Sequence, residues 1–441
     1  MAAPSNLSAV TANTGQMIYN NPHWGASGGS LQYKDSSTIG QQIRLDVFIR
    51  QALEELAKER FFTQMSGVYN LPKHSGKTIK KFKYLPLLDD RNKNNQGIDA
   101  TGQKLAGSGE GTYGNLYGSS KNVVTIQGKL PTLTEYGGRV NRVGFTRTIL
   151  EGSVRRLGFF YEFTKESLDF DNDATLLQHM GKEALRGAYE IQEDMIAIEL
   201  LKGAGVTMYA GGATAHQQLT AEDPRTAHVV TYKDLQKLAL TLKENRAPNQ
   251  LKASTGSQII DSHIIGSGYA LYVGYPLENQ LRNMTDAHLN PVFIPVEKYA
   301  AAGTKTLHGE IGTIGQFRIV VVPEMPEYQA AGAQDMSNDN TTHRKSKGYA
   351  GAPDGHTSSS NWYYDVFPMM AVASEAFTCL GFQADMGGKG NFKLITRMPG
   401  TETADRTDPY GQSGFTSIQW THGMLIEHPE WIATFYTLAE V

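Results

Sequence analysis

One run constrains this chain more than any other. Between Asp173 and Lys202, the residues Leu177, Met180, Ala184, Ala188, Ile191, Met195 and Ile198 recur at steps of three and four. That spacing lines them along one stripe of an α-helix. Asp171, Asn172 and Asp173 offer a cap ahead of it, and Gly203 a stop behind it. At 1.5 Å per residue, about thirty residues make a rod of roughly 45 Å. A rod of that length is long for an ordinary globular domain.

The segments around it carry signals of their own. Residues 1–40 are rich in Ser, Asn, Gly and Thr without an apolar period and read as an extended arm. Leu45, Phe48, Ile49, Ala52, Leu53 and Leu56 then predict a first amphipathic helix between Ile43 and Phe61. In GKTIKKFKYLPLL (76–88), Phe82 and Tyr84 alternate with Lys81 and Lys83, which predicts a strand with one basic face. Residues 89–122 carry almost nothing apolar, and TLTEYGGRVNRVGFTR (132–147) is strand-like again. Together they predict a long two-stranded ribbon with a polar, glycine-rich tip. Such a ribbon alone is barely stable in water, so it should lie on something else.

A second domain is expected from about Val229. TYKD (231–234) has the form of a capping box, followed by Leu235, Leu238, Ala239 and Leu242 and closed by Pro248. Strands are expected at Ala270–Val273 and Phe317–Val322, and a long polar surface loop over 331–361. WYYDVFPMMAVASEAF, FKLITRM and FTSIQWTHGMLIE then return to strand character. The class is α+β, with two main domains and two long extensions.

Motifs for chemistry are weak throughout. GEGTYG (109–114) matches the glycine loop of a protein kinase, but no VAIK-type lysine, HRD loop or DFG motif follows. No apolar strand precedes it and no helix follows, so a dinucleotide site fails as well. GKT (76–78) has Leu71 where a phosphate loop needs glycine, and a strand follows it; Gly76 reads instead as a turn into that strand. His422 and His428 beside Glu427, and His179 four residues before Glu183, make no HExxH pattern and read as surface histidines. Ser257, Asp261 and His263 are near in sequence without a nucleophile elbow, and Glu193 and Asp194 diverge on the helix. No cofactor or metal is expected. The single cysteine, Cys379, permits neither a disulfide nor a Cys-based zinc site. The N-terminus lacks the features of a signal peptide, and no apolar run reaches the roughly 18 residues of a membrane span. These features point to a reducing cytoplasm and no membrane partner.

Charge distribution is more informative. From Lys73 to Arg147 there are 13 Lys or Arg against 5 Asp or Glu, and from Glu162 to Glu199 there are 10 Asp or Glu against 3 Lys or Arg. A basic ribbon and an acidic rod share a chain of net charge −3. The expectation is that Lys80, Lys81, Lys83, Arg139, Arg142 and Arg147 of one subunit meet Glu183, Glu190, Glu193 and Asp194 of the next. Complementary charge of this kind sets register and partner choice, and head-to-tail repetition closes into rings or shells.

The order of arm, long ribbon, spine-like helix, α/β domain and return strand resembles the major capsid proteins of tailed bacteriophages, with the Hong Kong 97-like fold. More narrowly, LPKHSGKTIKKFKYLPLL (71–88), LTEYGG (133–138), RTILEGSVRRLGFFYEFTKESLDFDND (147–173), FIPVEKYA (293–300) and HGEIGTIGQFRIVVVPEM (308–325) are similar to the coliphage N-four family of such proteins. The resemblance implies an N-terminal arm and first helix over 1–66, an E-loop over 67–150, and a P-domain over 151–228. It further implies an A-domain over 229–400 and a C-terminal return to the P-domain over 401–441. Gly107, Gly109, Gly111, Gly114 and Gly118 would then sit at the E-loop tip, close to a neighbouring chain. The implied function is a non-enzymatic shell subunit, assembling as hexamers and pentamers around double-stranded DNA that it contacts non-specifically. It would be built in the host bacterial cytoplasm and reside in the virion capsid. Some forty residues before the first helix suggest no fused scaffolding segment, so separate scaffolding, portal and decoration proteins are the expected partners. An encapsulin-like shell around protein cargo is the rival reading, and a nucleotide-binding enzyme the remote one.

Overall fold

The computed structural model describes residues 18–19, 37–38, 61–71, 76–84, 147–170, 176–221, 227–254, 262–300, 306–335, 342–352, 355–356, 358–382, 392–401, 403–404 and 408–440. Along the chain, β1 is Gly67–Leu71, β2 Thr78–Tyr84, β3 Arg147–Thr164, and the rod, α1, Leu176–Gly203. Then follow β4 (Val206–Tyr209), α2 (Tyr232–Glu244), β5 (Tyr269–Gly274), β6 (Phe293–Pro295), β7 (Glu310–Ile314) and β8 (Phe317–Val322). The chain ends through β9 (Phe367–Val372), β10 (Phe377–Phe382), β11 (Phe392–Arg397), β12 (Ser413–Ile426) and β13 (Ile432–Thr437).

The strands form two principal sheets. One has the order β6-β7-β8-β5-β9-β13-β4, and the other β1-β10-β12-β3-β2, with β11 also pairing β12. In the seven-stranded sheet every residue of β5 is buried, as a strand covered on both faces requires. Tyr269, Leu271 and Val273 face α2, meeting Leu235, Leu238 and Leu242. Ala270 and Tyr272 face the other way, into a core shared with Ile196, Ala197 and Leu200 of α1. The capping box is present: the Thr231 hydroxyl accepts from Asp234 N, and the Asp234 carboxylate accepts from Thr231 N.

The rod lies on the other sheet. Ala184 and Ala188 of α1 lie against Ile418 and Trp420 of β12 and Leu157, Phe159 and Tyr161 of β3. Its 28 residues span about 42 Å, so its first turns cover one sheet and its last turns enter the core of the other. The stop falls at Gly203 as expected, whereas Asp171, Asn172 and Asp173 lie outside the described residues. Gly76 has φ +81°, the left-handed conformation that favours glycine, directly before β2.

The structure departs from the sequence expectations in several places. The 331–361 segment is not simply a polar surface loop: Gln334–Asp335 and Lys345–Lys347 both pair with Trp362–Tyr364 in a small sheet. Its polar residues are tied down by a buried ion pair, Lys345 Nζ to Asp335 Oδ2 at 2.6 Å, which composition does not reveal. The 401–441 segment does not return as one piece. β12 pairs with β3, but β13 joins the seven-stranded sheet between β9 and β4, so Val206–Tyr209 also belongs there. His422 is not a surface histidine; at 2% exposure it lies under α1, in phase with Trp420 along β12. Residues 43–60 of the expected arm helix, the ribbon beyond Tyr84 and before Arg147, Ser257 and Asp261 lie outside the described residues.

Candidate functional site

The ribbon's base is an antiparallel pair, β2 on β3, in a register running from Thr78 opposite Ser153 to Tyr84 opposite Arg147. Side chains alternate across it, giving two faces of different character. One carries Lys81, which stays exposed, and Lys83, which is half-buried, and both reach acids of the same chain. Lys81 Nζ lies 2.5 Å from Glu427 Oε2. Lys83 Nζ donates to Glu430 Oε1 at 3.0 Å and to the Glu427 carbonyl at 3.2 Å.

These acids sit on a corner, 427–431, where β12 leaves one sheet and β13 enters the other. The corner is braced from several directions. Gly205 N donates to the Pro429 carbonyl at 2.8 Å, Asn245 Nδ2 to the Glu430 carbonyl at 2.9 Å, and Trp431 Nε1 to the Asn245 carbonyl at 3.1 Å. Glu427 N and His428 N both donate to Ala376 O, and the His428 ring stacks on Trp431 at 3.7 Å. Burial acts to raise the Glu430 pKa, but hydrogen bonds from His428, the backbone and Lys83 outweigh it and hold the carboxyl down at about 2.

The ribbon's other face carries Lys80, Phe82 and Tyr84 beside Arg147, Ile149 and Glu151. Phe82, Tyr84 and Ile149 are 50%, 63% and 49% exposed. The Arg147 guanidinium lies 4.2 Å from the Phe82 ring centroid, and Lys80 pairs with Glu151 at 2.8 Å. The aromatic face is exposed among the described residues, while the lysine face, with Lys81 itself 53% exposed, is tied to acids of its own chain.

The acidic residues of the rod are placed unevenly. Arg186 lies 3.3 Å from both Glu183 and Glu190, and Asp194 is half-buried. Glu193 departs from the expected acidic face. At 4% exposure it points inward, where its carboxylate accepts from Phe62 N at 2.9 Å and from the Thr63 hydroxyl. Arg139, Arg142, Gly107, Gly109, Gly111, Gly114 and Gly118 lie outside the described residues. Glu427 and Glu430 were not singled out from sequence as partners of the ribbon. Only the charge at the corner hinted at it, since their pairing depends on contacts about 350 residues apart.

Among the described residues no group of three or more His, Cys, Asp or Glu is placed to hold a metal ion, and no helix is long and apolar enough to cross a membrane. A clamped ribbon base, a rod joining two sheets, and an outward aromatic face make an architecture of surfaces.

Comparison with known proteins agrees. A family profile described as phage capsid protein matches residues 149–435. The major capsid protein of Pseudomonas phage KPP21 is 47% identical over 405 residues, covering 92% of this chain and 95% of that one. The capsid of Ralstonia phage GP4 superimposes with a TM-score of 0.53 at 11% identity, covering 94% of this chain and 99% of that one. This chain belongs to the phage capsid protein family. Its fold is the α+β, Hong Kong 97-like capsid fold.

Proposed function

We propose that the chain is the shell-forming subunit of a tailed phage head, assembling as hexamers and pentamers into an icosahedral particle around double-stranded DNA, without catalytic activity. The observation that carries the reading is the ribbon's division of labour. Its lysine face is clamped to its own chain, while Phe82, Tyr84 and Ile149 stand outward on the opposite face. Exposed aromatics grouped on one face mark an interaction surface, and a family of self-assembling subunits supplies the partner: another copy. Scaffolding, portal and decoration proteins are the further partners expected, with assembly in the bacterial cytoplasm. The E-loop tip, Gly107 to Gly118, would reach the neighbouring chain.

Electron microscopy of the purified protein tests the reading. Closed shells are expected, and only monomers under every condition would count against it. The absorbance ratio of particles from infected cells distinguishes packaged DNA from protein cargo. Phe82→Ser with Tyr84→Ser should leave the monomer folded and reduce shell yield at least tenfold. Reversing Lys81 or Lys83 is a poorer probe, because it also breaks the contacts with Glu427 and Glu430.

A further inference from the structure

The outward face of the ribbon does not end at its base. Beyond the Lys80–Glu151 pair it runs past Ser153 into a cleft of about 400 Å³ beneath the last turn of α1. Arg155, Glu199, Lys202 and His422 line the cleft. Arg155 and His422 are directly opposite on β3 and β12, so both point to the helix side.

Three groups in this cleft lack a hydrogen-bond partner among the described residues. His422 is 2% exposed, and its Nε2 has no hydrogen-bond partner among the described residues. The nearest acid, Glu199 Oε2, lies 3.9 Å away, beyond hydrogen-bond reach. Arg155 and Lys202 are exposed and make no hydrogen bond or ion pair among the described residues, though both act on Glu199 through space. A buried polar atom without a partner costs free energy that a ligand recovers by supplying one.

We infer that this cleft is a receiving site for a carboxylate side chain of a second copy of the chain, held by Arg155, Lys202 and the Nε2–H of His422. Charge selects the ligand. Two cations without a hydrogen-bond partner among the described residues favour an anion, but Glu199 already acts on both, so a singly charged carboxylate fits better than a phosphate. Burial, and then the neighbouring Arg155, hold the His422 pKa down at about 4, so at neutral pH the ring donates as a neutral imidazole. Burial raises the Glu199 pKa against the pull of Arg155 and Lys202. Continuity with Phe82, Tyr84 and Ile149 argues for a second copy as the source: one copy lying along the aromatic face reaches the cleft. The inference rests on self-assembly, and its test separates the two.

Particles are assembled from an equal mixture of ¹⁴N- and ¹⁵N-labelled chains and treated with a carbodiimide that joins amines to carboxylates without a spacer. Links from Lys202 are then sequenced. Mixed-label links from Lys202 to an acidic peptide are expected. Links only within one chain, or an unmodified Lys202 in intact particles, overturn the site. Arg155→Gln with Lys202→Gln should keep wild-type circular dichroism and raise the concentration needed for assembly at least tenfold. Assembly at the wild-type concentration also overturns it. If that variant assembles normally but binds short duplex DNA more weakly in filter binding, the cleft is a phosphate site and the carboxylate assignment fails. Absence of particles from the wild-type chain would instead count against the self-assembly reading.

Discussion

Lys83 Nζ lies 3.0 Å from Glu430 Oε1, across 347 residues of sequence, and fixes the base of the ribbon to the corner where the chain passes between its two sheets. The ribbon's direction is thereby referred to the junction of the two sheets and not to either sheet alone. Gly205, Asn245 and Ala376 bond to the same corner.

The first prediction concerns acid. Glu430 is held at about 2 against an ordinary 4.5, so the folded state binds its proton less readily than the unfolded state. Its contribution is fully present above pH 4.5 and is lost as pH falls through about 2. Glu430→Gln should cost about 1 kcal/mol at pH 7. The gap between wild type and variant should close over that window. Urea unfolding at pH 7, 4 and 3 measures it, and a gap of equal size at all three would show that the ion pair is not its source.

The second concerns Glu193. Its carboxylate holds Phe62 N and the Thr63 hydroxyl, pinning the 61–65 segment beneath the rod, where the Tyr272 hydroxyl also donates to the Phe61 carbonyl at 3.2 Å. Glu193→Ala leaves a buried backbone N–H unpaired and should destabilise by about 2–3 kcal/mol. Limited proteolysis should then cut ahead of β1 in the variant faster than in the wild type, under conditions where both remain folded by circular dichroism. Equal cutting rates would mean that the segment is held by Phe61 and Phe62 packing alone.

These two cases also show how far the sequence could be read. Period three-to-four placed the rod, period two placed β2, and TYKD placed the start of α2, because each signal is local and each element buries one or both of its faces. What stayed hidden is long-range. Glu193 reads as one more acid on an acidic helix, since nothing local says that Phe62 N–H will meet it. His422 has the phase of Trp420, which marks it as inward, but only the arrival of α1 over β12 buries it. The aromatic face of the ribbon was legible as a period; the capture of the lysines by Glu427 and Glu430 was not.

The third prediction separates two glycines of similar appearance. A Cβ on Gly205 would lie 2.6 Å from the Pro429 carbonyl oxygen and 2.9 Å from Glu430 N, backbone atoms that cannot move without breaking the corner. Gly205→Ala should therefore cost about 3 kcal/mol or more. A Cβ on Gly187, within α1, meets nothing inside 4 Å among the described residues. Gly187→Ala should stabilise the subunit by about 0.5–1 kcal/mol through helix propensity. Thermal unfolding of the two monomers should shift in opposite directions; a loss for Gly187→Ala as well would mean that something packs against that helix face.

The last prediction addresses the 331–361 segment. Lys345 and Asp335 are both nearly inaccessible, their charged atoms 2.6 Å apart, and the Lys345 ammonium lies 5.0 Å from the Tyr364 ring centroid. Removing one charge strands the other in a low-dielectric setting, so Asp335→Ala or Lys345→Ala alone should cost about 3–5 kcal/mol. Replacing both, Asp335→Leu with Lys345→Met, removes the desolvation penalty along with the attraction and should recover most of that loss. If the ion pair is what orders the segment, each single variant becomes sensitive to proteolysis within 331–361 while the double variant does not. A double variant no better than the singles would show that the bond supplies fixed geometry that apolar contacts there do not replace.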